Sequence, residues 1–103
     1  MAVSEIPNGM RPIHPGEILR EEFLTPLGMS ANALAMRLRV PAPRINDLIR
    51  EKRGLSVDSA LRLARFFNNT PEFWINLQTA YELKIAKADK AREIEHDVTP
   101  LAA

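Results

Sequence analysis

Cysteine is absent from the 103 residues, so neither a disulfide framework nor a thiolate metal site can be built, and the chain suits a reducing compartment. Long apolar runs are missing too: nowhere do the roughly 18 apolar residues of a membrane-spanning helix follow one another. The opening residues, MAVSEIPNGMRPIHPG, lack the basic segment and apolar segment of a secretory signal. A soluble, cytoplasmic protein with no membrane contact is expected. Excess charge of one sign is also lacking. The net charge of +1 excludes a protein that coats nucleic acid over its whole surface and confines any such contact to one face. Glycine numbers only four, and none sits in a phosphate-cradling loop. His14 and His96 have no second His, Cys or paired carboxylate at ligand spacing, and no Ser/His/Asp, Cys/His or HExxH set occurs. No enzyme, cofactor, metal or small-molecule ligand is expected, and the length suits one modest core.

What is present is the stretch MSANALAMRLRVPAPRINDLIREKRG, from Met29 to Gly54, in which two short helical patterns meet across a break of a few residues. Ser30 can cap the first, its hydroxyl accepting from an N–H that the first turn leaves without a partner. Met29 and Leu34 fit a hydrophobic staple. Leu34, Ala35 and Leu38 recur at three- and four-residue spacing, which gives one apolar face with Asn32 and Arg37 outside it. The second pattern opens near Val40-Pro41-Ala42-Pro43, where a first-turn proline loses no hydrogen bond, and buries Ile45, Leu48 and Ile49. The arrangement is that of a helix-turn-helix.

Ala42, Pro43, Arg44, Asn46, Asp47 and Arg50 point away from that buried side. Arginine can donate to guanine O6 and N7 together, asparagine can pair with adenine, and alanine can meet a thymine methyl without blocking the approach. Ala42, Arg44, Asn46 and Asp47 are therefore the candidate base readers. Between Arg37 and Arg53, six basic residues (Arg37, Arg39, Arg44, Arg50, Lys52 and Arg53) stand against Asp47 and Glu51, a local net of +4 in a chain of +1. Such concentration is the footprint of docking on phosphates. Arg37, Arg50, Lys52 and Arg53 are candidate phosphate contacts, and the helix start at Ser30 is another, through its N–H groups and dipole. A helical adaptor that uses its basic patch for protein contact alone would show the same pattern.

Around this stretch the chain divides into a flexible arm (1–13), a helical domain (14–93) and a tail (94–103). Pro7, Asn8, Gly9 and Pro12 mark the arm, which either has no role or orders against a partner. Pro15 opens the first helix, with Glu17 and Glu21 favoured near its positive end. Ile18, Leu19, Phe23 and Leu24 face the core, and the helix is expected to end near Thr25-Pro26, with Gly28 completing the exit. The second helix of the pair is expected to stop at Gly54. Ser56 caps a fourth helix, with Val57, Ala60, Leu61, Ala64 and Phe67 as its core face. Thr70 and Pro71 start a long last helix, where Phe73, Trp74, Leu77, Ala80, Tyr81 and Ile85 make an apolar strip wider than one small domain needs. Phe73, Trp74 and Leu77 suit the domain's own core, leaving Tyr81, Leu83 and Ile85 for a second copy of the chain. The expected fold is all-α: five helices forming a DNA-binding domain with a long C-terminal helix.

Three segments, RPIHPGEILREEFL, VPAPRINDLIREKRGLSVDSALRLARFF and TPEFWINLQTAYEL, resemble in order and spacing the HigA-type antitoxins, a branch of the lambda-repressor-like (XRE) helix-turn-helix family. The resemblance implies an antitoxin of a type II toxin–antitoxin module. Such a protein neutralises a RelE-like toxin that cleaves messenger RNA and, as a homodimer, binds inverted-repeat operator DNA to repress its own operon. Family members carry no long unstructured toxin-binding tail, so toxin contact is expected on folded surface, with the acidic side of the first helix around Glu17, Glu21 and Glu22 as one meeting point. The alternative is a stand-alone XRE-family repressor without a toxin. Two departures stand out. Ala42-Pro43 replaces the polar amide or hydroxyl that many such recognition helices carry, and Arg39 stands where glycine is frequent. A positive φ at Arg39 would be strained by about 1–2 kcal/mol.

Overall fold

The structure is a computed structural model that describes residues 11–102. Residues 1–10 of the expected arm lie outside the described residues.

Within that range the chain forms five helices and no strand. Helix α1, residues 15–27, has an α-helical turn Pro15–Ile18, a wider π-helical stretch Leu19–Leu24 and a closing turn Thr25–Leu27. His14 caps it, with Nδ1 accepting from the Gly16 N–H at 2.8 Å. The helix runs to Leu27, one residue past Thr25-Pro26, and stops at Gly28 as expected. The Thr25 N–H donates to the Arg20 carbonyl five residues back, and this wider turn relieves the clash of the Pro26 ring with a carbonyl four residues earlier.

Helix α2 is Ala31–Leu38, with Ser30 Oγ accepting from the Ala33 N–H at 3.0 Å. Helix α3 is Ala42–Ile49. Helix α4 is Val57–Phe67, capped by Ser56 through the Ser59 N–H at 3.1 Å. Helix α5 is Pro71–Asp97, capped by Thr70 through the Phe73 N–H at 3.1 Å. At 1.5 Å per residue its length is about 40 Å, and it ends at Asp97, just before Val98-Thr99-Pro100.

Helices α1 to α4 all stop in the same way, on a left-handed residue followed by a 6→1 backbone bond. The left-handed residues are Gly28 (φ 62), Arg39 (φ 62), Glu51 (φ 63) and Asn68 (φ 57). The closing bonds run from Met29 to Leu24, Val40 to Ala35, Lys52 to Asp47, and Asn69 to Ala64. Arg39 thus takes up the strained conformation its position suggested. The stop of α3 is Glu51, not Gly54. Gly54 serves packing instead: a Cβ there would stand 2.9 Å from the Gln78 amide, whose oxygen accepts from the Leu55 N–H at 2.6 Å.

The core gathers Leu19 and Leu24 of α1, Leu34, Ala35 and Leu38 of α2, Ile45 and Leu48 of α3, and Trp74 and Leu77 of α5. Phe23 and Phe67 add an aromatic layer, with ring centroids 4.7 Å apart and Phe23 4.9 Å from Trp74. The Trp74 Nε1–H donates to Asn69 Oδ1 at 2.8 Å. Phe73, expected in the core, is 39% exposed. Helix α4 is also turned from its expected face. Val57 and Leu61 are exposed, whereas Ser59, Ala60, Leu63 and Ala64 are buried. A buried Ser59 is tolerable because its hydroxyl bonds Ser56 Oγ at 3.1 Å, which satisfies the polar group, and its small size keeps that side narrow. No helix among the described residues is long and apolar enough to cross a membrane.

The start of α1 lies against the end of α3: a Cβ on Gly16 would stand 1.8 Å from the Leu48 carbonyl oxygen. A backbone oxygen cannot move aside cheaply, so Gly16→Ala should destabilise the fold by about 3 kcal/mol or more in urea unfolding. His14 supplies a second expectation. Burial pulls its imidazole below the ordinary value, outweighing the opposing pull of Glu51, and protonation would remove the Nδ1 acceptor that caps α1. A base with a lowered folded pKa binds more protons unfolded, so its contribution is intact above about pH 6.5 and declines below it. Unfolding free energy should therefore fall from pH 7 to pH 5, and His14→Asn, which keeps a neutral capping acceptor, should flatten that slope.

Candidate nucleic-acid interface

Helix α3 has only eight residues, and its neighbours fix its orientation. Ile45 and Leu48 are fully buried. Arg20 of α1 donates to the Ile49 carbonyl and pairs with Glu51 at 3.6 Å, which closes the C-terminal end of α3. Arg62 of α4 does the same for α2, donating to the Leu38 carbonyl at 2.9 Å. Each helix of the pair thus has its last turn held by an arginine from a helix outside it. Sequence reasoning missed both, because their partners are backbone carbonyls, which leave no trace in residue type.

The outward surface of α3 is partly open: Pro43 and Arg50 are exposed, Arg44, Asn46 and Asp47 are half-buried, and Ala42 is half-buried and packs against the core. Arg44 donates through Nη1 to the Asp58 carboxylate at the start of α4, and Asp47 faces Arg53 at 3.7 Å. Asn46 Nδ2 donates to Asn32 Oδ1 at 2.7 Å and to the Ala42 carbonyl at 3.0 Å. Both amide hydrogens of Asn46 are therefore engaged and its oxygen remains to accept, which suits the amine of adenine or cytosine. Asn32, on α2, enters the site only through this bond; its sole sequence signal is a polar residue in the first turn of that helix.

The candidate phosphate contacts divide by partner. Ser30 Oγ is committed to its cap, so its contribution would come from the first-turn N–H groups it leaves exposed at the positive end of α2. Among the described residues Arg37, Arg39, Arg50 and Lys52 make no ion pair. The Arg37 guanidinium instead lies 5.0 Å over the Phe66 ring. Arg53 shares its charge with Asp47. Asp58 accepts from both Arg44 and Arg62, and these bonds hold its carboxyl below the ordinary range.

Two other expected surfaces are altered by pairing. On the acidic side of α1, Arg11 chelates Glu17 with two bonds of 2.7 Å and Arg20 engages Glu21 at 2.9 Å. On α5, Tyr81 sits edge-on against the His14 ring at 4.8 Å within the same chain. Leu83 is 51% exposed and Ile85 is half-buried.

Comparison with known proteins places this geometry. The helix-turn-helix model HTH_3 matches residues 19–75, from within α1 to the first turns of α5. The chain is 53% identical over 90 residues to virulence-associated protein I of Dichelobacter nodosus, covering 87% of this chain and 83% of that protein. The solved Pseudomonas aeruginosa antitoxin HigA with the higBA promoter is 52% identical, with a TM-score of 0.86 over 89% of this chain and 100% of the other. The antitoxin GraA in complex with its operator is 53% identical, with a TM-score of 0.87 over 95% and 99%. The chain belongs to the XRE-like helix-turn-helix family, in its branch of HigA-type antitoxins.

Proposed function

We propose that the protein is the antitoxin of a type II toxin–antitoxin module, acting in the cytoplasm, which neutralises a RelE-like toxin and, as a homodimer, binds an inverted-repeat operator to repress its own operon. One observation carries the DNA-binding part: Arg44, Asn46 and Asp47 lie outside the core on one side of an anchored helix, next to cations without carboxylate partners. Similar antitoxins solved with promoter or operator DNA support the same assignment. Arg44 is the guanine reader, Asn46 and Asp47 accept from base amines, and Ala42 leaves room for a thymine methyl. Arg37, Arg50, Lys52, Arg53 and the Ser30 end of α2 engage phosphates.

One eight-residue helix gives little affinity. Two copies about one turn of DNA apart read both half-sites and double the phosphate contacts. Leu83 and Ile85 on α5 are the residues we assign to that dimer, with Tyr81 at the edge of the contact because His14 already holds one side of its ring. With Glu17 and Glu21 engaged by arginines, Glu22 is the carboxylate of α1 best placed to meet a basic toxin.

Arg44→Ala should weaken binding to the DNA upstream of the gene by about 1–3 kcal/mol without changing the fold; unaltered affinity in a mobility-shift titration would remove Arg44 from the readers. Leu83→Asp should move the sedimentation of the protein from dimer to monomer, and an unchanged profile would displace the interface from this face of α5. Co-purification of a small basic protein encoded beside the gene separates the toxin-bound antitoxin from a repressor that works alone.

A further inference from the structure

The surface that would face DNA contains a carboxylate from outside the helix-turn-helix pair. Asp58, in the first turn of α4, accepts from Arg44 Nη1 at 2.5 Å and from Arg62 Nε at 2.9 Å, both through Oδ2. Arg62 donates its Nη1 to the Leu38 carbonyl at 2.9 Å. A single line of bonds therefore runs from the backbone end of α2, through Arg62 and Asp58, to the side chain of Arg44 on α3. Asp58 and Arg62 lie fourteen and eighteen positions from Arg44 in sequence.

The pairing is not needed for stability. Asp58 is 52% exposed and Arg44 31%, and ion pairs this open to water contribute little. Ser56 already caps α4. A carboxylate beside a DNA-facing surface also opposes the approach of phosphates, so its presence asks for another reason. Geometry supplies one. Asp58 occupies only Nη1 of Arg44, which leaves Nε and Nη2 directed elsewhere as a fork that guanine O6 and N7 can accept. An arginine held in one orientation beforehand has less rotamer freedom to lose when it meets a base. Arg62, anchored on Leu38, fixes Asp58 and offsets its charge.

Resting on the operator-binding reading above, we infer that Asp58 is a specificity-determining positioning residue, aligning Arg44 for one base while contributing nothing to general DNA affinity. Removing its charge should then act in opposite directions on the two kinds of binding. Specific binding loses an oriented reader; nonspecific binding loses a repulsive charge.

The test uses the full chain and two duplexes, the DNA upstream of the gene and a scrambled version of it, with affinities measured for the parent, Asp58→Asn, Arg44→Ala and the double variant at two salt concentrations. Asp58→Asn should lower the ratio of specific to nonspecific affinity about tenfold, an interaction of the size seen between coupled neighbours. Its scrambled-duplex affinity should be unchanged or higher, and its thermal unfolding should match the parent. The double variant should discriminate no worse than Arg44→Ala alone, since Asp58 acts through Arg44. A ratio unchanged in Asp58→Asn, equal tightening on both duplexes, or losses that multiply in the double variant would each overturn the inference and leave Asp58 as a plain surface charge. A parent chain that does not discriminate between the duplexes overturns the operator-binding reading itself, and the role of Asp58 with it.

Discussion

An isolated helix shorter than about 12–15 residues is marginal in water, yet the surface proposed to meet DNA rides on eight residues, Ala42–Ile49. Everything that presents that surface follows from holding α3 from outside. Ile45 and Leu48 bury its inner side. Gly16 lets the start of α1 come within backbone contact of Leu48, and Arg20 closes the last turn. Midway along it, Asn46 is tied to Asn32 on α2. A helix held along its inner side, at its middle and at its last turn presents its side chains at a set spacing from α2. Two helices that must enter and straddle a groove as one body need that rigidity.

The same anchoring explains the unusual build of α1. Its N-terminal turn brings Gly16 onto α3 and His14 onto Tyr81 of α5, while Phe23 reaches Phe67 of α4 and Trp74 of α5. The π-helical stretch Leu19–Leu24 carries Leu19 and Leu24 into the core, with Phe23 packed against it. It also admits Pro26 without ending the helix. One local widening therefore serves both the packing of α1 and its length.

Helix starts were legible in the sequence and the stop of α3 was not, for a physical reason. Ser30, Ser56 and Thr70 cap through side chains, so residue type reports the structure directly. The stops use backbone bonds around a left-handed residue. Of the four such positions only Gly28 carries glycine; Arg39, Glu51 and Asn68 do not, and Gly54 misled because its purpose is room for Gln78. The face of α4 was misjudged because two exposed aliphatics, Val57 and Leu61, outweigh an inward serine in any reading by hydrophobicity. At the site, the residue types on α3 were legible from helical spacing. Their partners were not: Arg44 meets Asp58 fourteen positions away, Arg62 meets Leu38 twenty-four away, and Arg20 meets Ile49 twenty-nine away. Pairings of that range depend on the fold being complete.

Local charge counted from sequence treats six basic residues alike, whereas the folded chain sorts them. Arg37, Arg39, Arg50 and Lys52 make no ion pair among the described residues, while Arg44 faces Asp58 and Arg53 faces Asp47. A cation without a fixed partner keeps its full field and its mobility, which suits contact with phosphates that repeat along any duplex. A cation tied to a carboxylate gives up part of its field and gains a direction. Direction is of no use against a uniform backbone and is what a donor aimed at one base edge requires. Arg44, bonded to Asp58 at the start of α4, is the cation that gains such a direction, whereas Arg53 and Asp47 stand 3.7 Å apart, a looser pairing that compensates charge without aiming a donor. The contact that directs Arg44 comes from α4, outside the helix-turn-helix pair itself.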